Sequence, residues 1–235
     1  MNLFSVVKPK ITCIPSSFKE GSLTFLNLFS YMKNRSKARM FDGFDSVGVD
    51  GIMLVLAFRL FGVKTERMSF DYTSIAGAFF KYCVAEDKKL FIVGSEQKYI
   101  EGFVEKTRTK YENLNVAGYR NGFFLDSLER DMCYKKINES GSEYLLVGMG
   151  SPYQEEFVLG LKQSGWTGNA ITCGGFIHQT AGAVGLEYYP KIFDRLNIRW
   201  VYRIYDEPIL FKRYFWEYPK ALAWFAFDAI ASIKK

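Results

Sequence analysis

Residues 145–156, with the sequence Leu-Leu-Val-Gly-Met-Gly-Ser-Pro-Tyr-Gln-Glu-Glu, are the most informative part of the chain. The apolar run is typical of a buried strand, and the Ser-Pro step after the Gly-Met-Gly turn is typical of a helix start. A Rossmann-like sheet forms its ligand pocket at such a place, outside the carboxyl ends of parallel strands. Because the first N–H groups of a helix have no partner within it, they can hold an anion. We therefore expect a pocket after this strand.

Strand-like and helix-like segments alternate along the first three quarters of the chain. This alternation is typical of βαβ units, and several strands are the continuous apolar runs expected when both faces are covered. The predicted fold is therefore α/β, a Rossmann-like, mostly parallel sheet with helices on both faces. The predicted strands are residues 22–27, 44–49, 90–94, 115–119, 144–148 and 170–174. The predicted helices are residues 28–37, 51–61, 74–85, 97–111, 128–139 and 152–163.

The chain changes character near residues 187–190, where the sheet pattern stops. Residues 190–235 carry nine Lys or Arg against five Asp or Glu, whereas the other 189 residues carry 22 against 20. Three of the four tryptophans also lie in this last segment. A basic and aromatic composition favours an anionic, partly apolar partner such as a membrane surface. We predict two domains, a Rossmann-like core at 1–189 and a helical, membrane-associating appendage at 190–235.

The cysteine and histidine content argues against a zinc centre. The four cysteines form no CxxC pair, and the chain has a single histidine. We therefore predict no zinc site of the usual kind, and the sequence indicates no cofactor. The sequence shows neither an apolar run of 18 residues nor a signal-peptide pattern, so we expect no spanning helix and a reducing, cytoplasmic setting.

The helix start at residues 151–154 allows two interpretations. Ser151 as N-cap, Pro152 at the first helical position and Gln154 three residues after the cap would form a capping box, which needs no ligand. The same helix start would equally hold a diphosphate, with Gln154 contacting the nucleotide. The pattern is neither GxGxxG nor a Walker loop, so it indicates neither NAD nor ATP.

Polar residues also follow the first two predicted strands. Asp50 lies where a general base is useful, although Asp-Gly is also an ordinary turn or cap signal. Thr24 and Asn27 would bind sugar hydroxyls or simply the loop backbone. Arg67 would neutralise a leaving diphosphate or pair with a neighbouring carboxylate.

Basic residues near the end of the predicted sheet form a further candidate set. His178 follows a strand and a Gly-Gly turn, where it is either a structural residue or a group at the cleft mouth. Arg195, Arg199 and Arg203 are spaced four apart, so a helix over residues 193–205 would align them in one stripe. Such a stripe can clamp a pyrophosphate or pair with nearby carboxylates on a solvated face.

Three ordered motifs resemble the WecG/TagA/CpsF family of bacterial glycosyltransferases, over roughly residues 22–218. Residues 147–155 are similar to the family's G-x-P-x-Q-E segment, residues 174–182 share its Gly-Gly and Ala-Gly pairs, and residues 196–214 resemble its L-E-W-x-x-R-L-x-x-E-P…R-Y signature. Asp50-Gly51 and Glu66-Arg67 fall on the family's Asp-Gly and Glu-Arg pairs. Thr24 and Asn27 resemble its T-x-N element, with one extra residue between them.

The resemblance implies an inverting, metal-independent glycosyltransferase. It would move a hexose, N-acetylmannosamine-type or related, from a UDP-sugar to a polyprenyl-diphosphate-linked sugar during cell-surface polysaccharide synthesis. The enzyme would be peripheral on the inner face of the bacterial cell membrane, held there through residues 190–235.

The resemblance also implies roles for individual residues. Asp50 would deprotonate the acceptor hydroxyl, and Thr24 would be the second catalytic residue, lining the sugar site. The implied substrate-binding residues are Asn27, Arg67, Gly150, Pro152, Gln154, Glu155, His178, Arg199, Arg203 and Arg213.

The sequence departs from the family pattern at three places, and other classes stay open. Ile177-His178 replaces the family's Phe-Asp, Tyr188-Tyr189-Pro190 replaces its R-A-P, and Ile198-Arg199 replaces Glu at the L-E-W step. An oxidoreductase would need GxGxxG after the first strand, and a nucleic-acid-binding module would need basic charge outside the tail. We therefore predict no nucleic-acid partner. An exposed aromatic tail is typical of membrane binding or of self-association, so a homo-oligomer stays open.

Overall fold

The protein has an α/β architecture, described here from a computed structural model over residues 1–13, 18, 21–183, 199–206 and 210–233. These residues form a six-stranded parallel sheet in the order β2-β1-β6-β5-β3-β4. The strands are β1 Leu23–Leu26, β2 Ser46–Val49, β3 Leu90–Gly94, β4 Val116–Arg120, β5 Tyr144–Gly148 and β6 Asn169–Thr172. The helices before residue 184 are α1 Leu3–Val7, α2 Leu28–Asn34, α3 Ile52–Leu60, α4 Ala76–Ala85, α5 Gln97–Lys110, α6 Ser127–Glu139, α7 Tyr153–Gln163 and α8 Phe176–Gly182.

The tail is helical where the structure describes it. A helix spans Arg199–Asp206, and a short helical turn at Leu210–Lys212 runs through a π-helical turn at Arg213–Glu217 into the C-terminal helix, Tyr218–Ile233. No helix in the described part of the chain is both long and apolar enough to cross a membrane.

The predicted fold class is confirmed, and all six predicted strands are present. Strand ends differ from the prediction by at most two residues and helix ends by at most three. The largest helix difference is at α2, which ends at Asn34 because the chain continues as 3₁₀ turns over Arg35–Gly43. Two short helices, α1 and α8, were not predicted.

Strands β3 and β5 lie side by side and are buried along their whole length. Their register pairs Leu90 with Tyr144 at one end and Gly94 with Gly148 at the other. The backbones meet closely at that carboxyl end, since a Cβ on Gly94 would lie 2.3 Å from the carbonyl oxygen of Gly148. Gly94 also has φ of +149°, which favours glycine. The two glycines thus begin the turns at the carboxyl ends of both strands.

The chain divides into two compact units, and the division falls between Thr24 and Phe25 within β1. The second unit contains the described parts of Pro15–Thr24 and Phe70–Leu186. Its core includes Phe176 of α8, which packs against Phe70, Tyr72 and Phe103. The Lys106 ammonium donates to the carbonyls of Thr180, Ala181 and Ala183 at 3.1, 2.9 and 2.7 Å, and so binds the carboxyl end of α8. These contacts fix α8 directly after β6.

The first unit contains the described parts of Met1–Ile14, Phe25–Ser69 and Glu187–Lys235. Its aromatic core includes Phe225 of the C-terminal helix, whose ring centroid lies 5.4 Å from Phe4, 4.8 Å from Phe58 and 5.1 Å from Tyr31. The C-terminal helix is therefore part of this unit's core. The predicted domain boundary near residue 190 stays a prediction, because residues 184–198 lie outside the described parts.

A buried carboxylate fastens the C-terminal helix to α2 in the same unit. Asp228, which is 1% exposed, accepts two hydrogen bonds from the Arg35 guanidinium, at 2.9 and 2.8 Å, and one from the Tyr31 hydroxyl at 3.0 Å. The Asn2 side-chain amide also donates to the Asp228 carbonyl at 2.8 Å. Burial, and then the Asp228 charge, raise the pKa of Tyr31 well above its usual value, so this phenol stays a hydrogen-bond donor.

Candidate active site

A buried polar cluster lies in the second unit at the start of α7, and we call it the Glu155 cluster. Its members are Thr24, Ser151, Gln154, Glu155, Thr172 and Gly174. The Glu155 carboxylate accepts from the Thr24 hydroxyl at 2.9 Å and from the Gln154 amide at 2.9 Å, both on Oε1. Its other oxygen, Oε2, accepts from the Ser151 hydroxyl at 2.8 Å. Three predicted site residues, Thr24, Gln154 and Glu155, are thus brought together.

Two further hydrogen bonds extend the Glu155 cluster to β6 and the loop after it. The Gly174 N–H donates to Gln154 Oε1 at 3.0 Å, which fixes the orientation of the Gln154 amide. The hydroxyls of Thr24 and Thr172 lie 2.9 Å apart. Since the Thr24 proton goes to Glu155, the Thr172 hydroxyl is the donor in that pair.

Four members of the cluster are inaccessible to water in this structure, while Ser151 and Gly174 are half-buried. Thr24, Glu155 and Thr172 are each 0% exposed, and Gln154 is 4% exposed. Burial raises the pKa of the Glu155 carboxyl, although the hydrogen bonds from Gln154, Ser151 and Thr24 oppose that rise. The side chains of Thr24 and Glu155 therefore act here on other protein groups, and their predicted contacts with substrate stay predictions.

The predicted capping box at Ser151 is wrong. The peptide bond between Ser151 and Pro152 is cis, Pro152 occupies the N-cap position of α7, and no side chain caps the helix. The Ser151 hydroxyl instead donates to Glu155, one turn into the helix. Gly150, with φ of +73°, makes the turn before it. Gly150 and Pro152 are both half-buried beside the cluster, so their predicted ligand contact stays a prediction.

Three more predicted site residues lie in the first unit, at the carboxyl ends of β1 and β2, and they are Asn27, Asp50 and Arg67. The Asp50 N–H donates to the Leu26 carbonyl at 2.7 Å, which fixes the backbone where both strands end. Arg67 forms a parallel bridge with Val49, the last residue of β2. The side chains of Asp50 and Arg67 are partly exposed, and each has further contacts. The backbones of Asp50 and Arg67 are thus placed where β2 ends, and their predicted roles as base and cation stay predictions.

Asn27 is the N-cap of α2, so part of its side chain has a structural role. Its Oδ1 accepts from the Ser30 N–H at 2.9 Å, and the Ser30 hydroxyl accepts from the Asn27 N–H at 2.8 Å. This reciprocal pair is a capping box. The sequence carries the signal as Asn27 followed three residues later by Ser30, whereas the sequence led us to consider Asn27 only as a ligand for sugar hydroxyls or for the loop backbone.

Arg213 lies against the first turn of α2 in the same unit. Its guanidinium carbon is 3.7 Å from the centroid of the Phe29 ring. Its Nε is buried and has no hydrogen-bond partner among the described residues. A guanidinium with an unsatisfied N–H is suited to an anionic ligand.

The remaining predicted residues are less constrained by their surroundings. His178 is exposed on α8, and its ring centroid lies 4.0 Å from that of Tyr99. The structure does not bring it into the Glu155 cluster. The backbones of Arg199 and Arg203 are helical, but their side chains, like all of Arg195, lie outside the described residues, and so does the predicted arginine stripe.

Sequence reasoning missed Ser151 and Thr172 as members of the Glu155 cluster. Ser151 carried a signal, since it lies one turn before Glu155, but the signal was read as a helix cap. Thr172 carried none, because it reaches the cluster only through the pairing of β1 with β6.

Comparison with known proteins identifies the family to which the chain belongs. The model of the glycosyl transferase WecG/TagA/CpsF family matches residues 10–235. The chain therefore belongs to this family of glycosyltransferases, as its motifs predicted. This membership sets aside the oxidoreductase alternative, and the predicted absence of a nucleic-acid partner stays a prediction.

Two relatives illustrate the range of activities near this chain. It is 33% identical, over 91% of its own length and 89% of the relative's, to a UDP-Gal:alpha-D-GlcNAc-diphosphoundecaprenol beta-1,4-galactosyltransferase of Shigella boydii. It is 26% identical, over 79% of its length and 70% of the relative's, to an N-acetylglucosaminyldiphosphoundecaprenol N-acetyl-beta-D-mannosaminyltransferase of Bacillus subtilis (strain 168). Both names contain the same lipid-linked acceptor and different donor sugars.

Proposed function

We propose that this enzyme transfers a hexose from a UDP-sugar to N-acetylglucosamine linked to undecaprenyl diphosphate, in cell-surface polysaccharide synthesis. The observation that carries this proposal is the match to the galactosyltransferase over nine-tenths of the chain. The two named relatives share the acceptor and differ in the donor sugar. The proposed acceptor therefore has support from both relatives, and the proposed donor has support from the galactosyltransferase. UDP-galactose is the donor we propose, in preference to the N-acetylmannosamine-type donor that the motifs alone suggested.

The proposed chemistry is an inverting displacement in which Asp50 is the general base. Its carboxylate would take the proton from the acceptor hydroxyl, whose oxygen forms a bond to the anomeric carbon of the donor. The bond from that carbon to the UDP oxygen breaks, and UDP leaves with the electron pair. The position of Asp50 at the end of β2, with its N–H held by Leu26, supports this role.

Arginine side chains would stabilise the negative charge on the diphosphates. Arg67 lies beside the end of β2, and Arg213, next to α2, presents a buried Nε that has no hydrogen-bond partner within the described parts of the chain. Since a guanidinium binds phosphate oxygens through two parallel N–H groups, these residues could replace a metal ion. We therefore propose metal-independent transfer, with Arg67 on the donor side and Arg213 on the acceptor side.

We further propose that the enzyme works peripherally at the inner face of the cell membrane. The tail exposes large aromatic side chains, which are Tyr205, Phe211, Phe215, Trp216 and Phe227. Lys212 is also exposed, and Arg213 is partly so. Exposed rings among cations bind an anionic bilayer by burying apolar area and pairing with headgroups.

The test is calorimetric titration with UDP in excess EDTA, together with turnover of UDP-galactose, for wild type, Asp50→Asn and Asp42→Asn. Asp42 is a matched control, because it also precedes a glycine but lies on the exposed 3₁₀ segment. We expect Asp50→Asn to lose about 10²- to 10⁴-fold in turnover while binding UDP as wild type does. Asp42→Asn should behave as wild type. Full turnover by Asp50→Asn would exclude the base role, and a folded wild type that does not bind UDP would refute the donor class.

A further inference from the structure

Glu155 is a buried carboxylate whose side-chain partners, among the residues that the structure describes, are all neutral. Its hydrogen bonds come from Thr24, Ser151 and Gln154, and the residue is 0% exposed. Buried carboxylates without a cation contribute little to stability, because desolvation outweighs what neutral donors return. A side chain that served packing alone would be better replaced by an apolar one. The arrangement therefore indicates a role other than stability.

The partners of Glu155 come from three neighbouring elements of the second unit. Thr24 belongs to β1, Ser151 to the turn after β5, and Gln154 to the first turn of α7. The Gln154 side chain also makes a second hydrogen bond, in which its Oε1 accepts from the N–H of Gly174 in the turn after β6. One carboxylate is thus connected to β1 and to the turns that follow β5 and β6.

These turns lie where parallel α/β sheets bind ligands, at the carboxyl ends of neighbouring strands. Each of the two turns contains a glycine with a positive φ. Gly150 and Gly174 have φ of +73° and +55°, and glycine leaves the backbone many alternatives. Backbone hydrogen bonds also act in both turns, from the Gln154 N–H to the Gly150 carbonyl at 3.0 Å and from the Phe176 N–H to the Cys173 carbonyl at 3.1 Å. The hydrogen bonds from Ser151 and through Gln154 add the side-chain contacts that join both turns to Glu155.

We infer that Glu155 is a positioning residue that fixes the turns after β5 and β6 in the conformation that binds the donor nucleotide. The inference rests on the proposed function, because it takes the donor to be a UDP-sugar and assigns its nucleotide to the carboxyl ends of these strands. It changes the role expected of Glu155 from the sequence, because a carboxylate with no exposed surface orients the ligand-binding backbone instead of touching the ligand.

The test compares Glu155→Ala, Glu155→Gln and Leu161→Ala in the full chain. Leu161 lies on the same helix, is 0% exposed and touches none of the polar cluster through hydrogen bonds, so its truncation controls for lost stability. Glutamine keeps one acceptor oxygen for Thr24 and Gln154, and its amide can donate to the Ser151 hydroxyl. Two properties are measured: amide hydrogen exchange in residues 149–154 and 173–176, and kcat and KM for UDP-galactose.

For Glu155→Ala we expect selectively faster exchange in both turns and a KM for the donor raised about 10- to 100-fold, as for a misplaced binding group. Glu155→Gln should restore both properties to within about threefold, a change of well under one decade in affinity. Leu161→Ala should lower the melting temperature without either effect.

Two other results would contradict the inference, and a third would contradict the proposed function. If exchange in the two turns is no faster in Glu155→Ala than in Leu161→Ala, Glu155 does not hold them. If exchange rises but KM and kcat are unchanged, the role is structural and the inference is wrong. If wild type turns over no UDP-sugar, the proposed function fails, while the exchange data still show whether Glu155 fixes the turns.

Discussion

At the scale of single residues, the buried charge of Glu155 links stability to pH. Burial raises the pKa of this carboxyl in the folded protein above its ordinary value of 4.5. Between those two pKa values the folded state binds more protons than the unfolded state, so stability falls as pH rises through that window. An ionised Glu155 therefore lowers the free energy of unfolding at neutral pH.

Glu155→Gln should remove this pH dependence while keeping most of the hydrogen bonds. We expect the wild type to lose up to about 1.4 kcal/mol per pH unit more than the variant across the window. The measurement is urea unfolding of both proteins from pH 4.5 to 8. Parallel stability curves would show that the pKa of Glu155 is not raised on folding.

The residues of the Glu155 cluster were only partly predictable. Gln154 and Glu155 are adjacent in sequence and were singled out together, but as groups that contact a ligand. Thr24 and Glu155 are separated by 131 positions, and no local pattern reports that their side chains meet. Burial is the deciding property here, and it follows from the pairing of β1 with β6, which a single sequence does not specify.

At the scale of elements, the close approach of β3 and β5 makes Gly94 irreplaceable. Alanine there would place its Cβ against the Gly148 backbone and would hold φ of +149°, so we expect Gly94→Ala to lose about 3 kcal/mol of stability. Gly102 on α5 is the control, because its Cβ would meet only the Ala181 Cβ at 4.0 Å. Gly102→Ala should gain about 0.5–1 kcal/mol through helix propensity.

Chemical denaturation of these two glycine variants measures both values directly. Equal stability of Gly94→Ala and wild type would mean that the two strand ends can separate without loss. That result would also contradict the close approach of β3 and β5 at their carboxyl ends.

Most elements were predictable because burial on both faces leaves a strong mark in the sequence. Strands β3 and β5 are continuous apolar runs, and their observed bounds coincide with the predicted ones. Helix α8 was missed because it has only seven residues and follows a Gly-Gly step that favours a turn. Its stability comes from the packing of Phe176 and the binding of its end by Lys106, which are long-range contacts.

At the scale of the whole molecule, membrane binding should depend on exposed rings of the tail. Phe215 and Trp216 are 55% and 75% exposed, so replacing both with Ser should weaken binding to phosphatidylglycerol-containing vesicles about tenfold or more, without unfolding. Leu125 and Met132 of the second unit, 95% and 65% exposed, provide the matched double control. Vesicle sedimentation measures the membrane binding of both double variants.

Loss of vesicle binding by the Leu125 and Met132 double variant, with the tail variant unaffected, would place the membrane surface elsewhere. Deleting residues 190–235 would be a poorer test of the tail. The deletion removes Phe225 from the core of the first unit, so any loss of binding would be confounded by unfolding.

The composition of the tail predicts its surface chemistry but not which of its aromatic rings are buried. Its basic and aromatic character was visible in the sequence, but not which rings point inward. Phe225 is 1% exposed and Phe227 is 59% exposed, although they are two positions apart. The partners that distinguish them, such as Phe4, lie at the other end of the chain, beyond the reach of helical periodicity.

The contact between Asn2 and Asp228 has a consequence for biosynthesis. The two residues are 226 positions apart. At the usual elongation rate of about 5–20 residues per second, roughly 10–45 s pass between their appearance on the ribosome. During that time Phe4, Tyr31 and Phe58 lack their packing partner Phe225. The core of the first unit can therefore form completely only after translation has reached the tail. The second unit, whose described residues end at 183, can be complete before then.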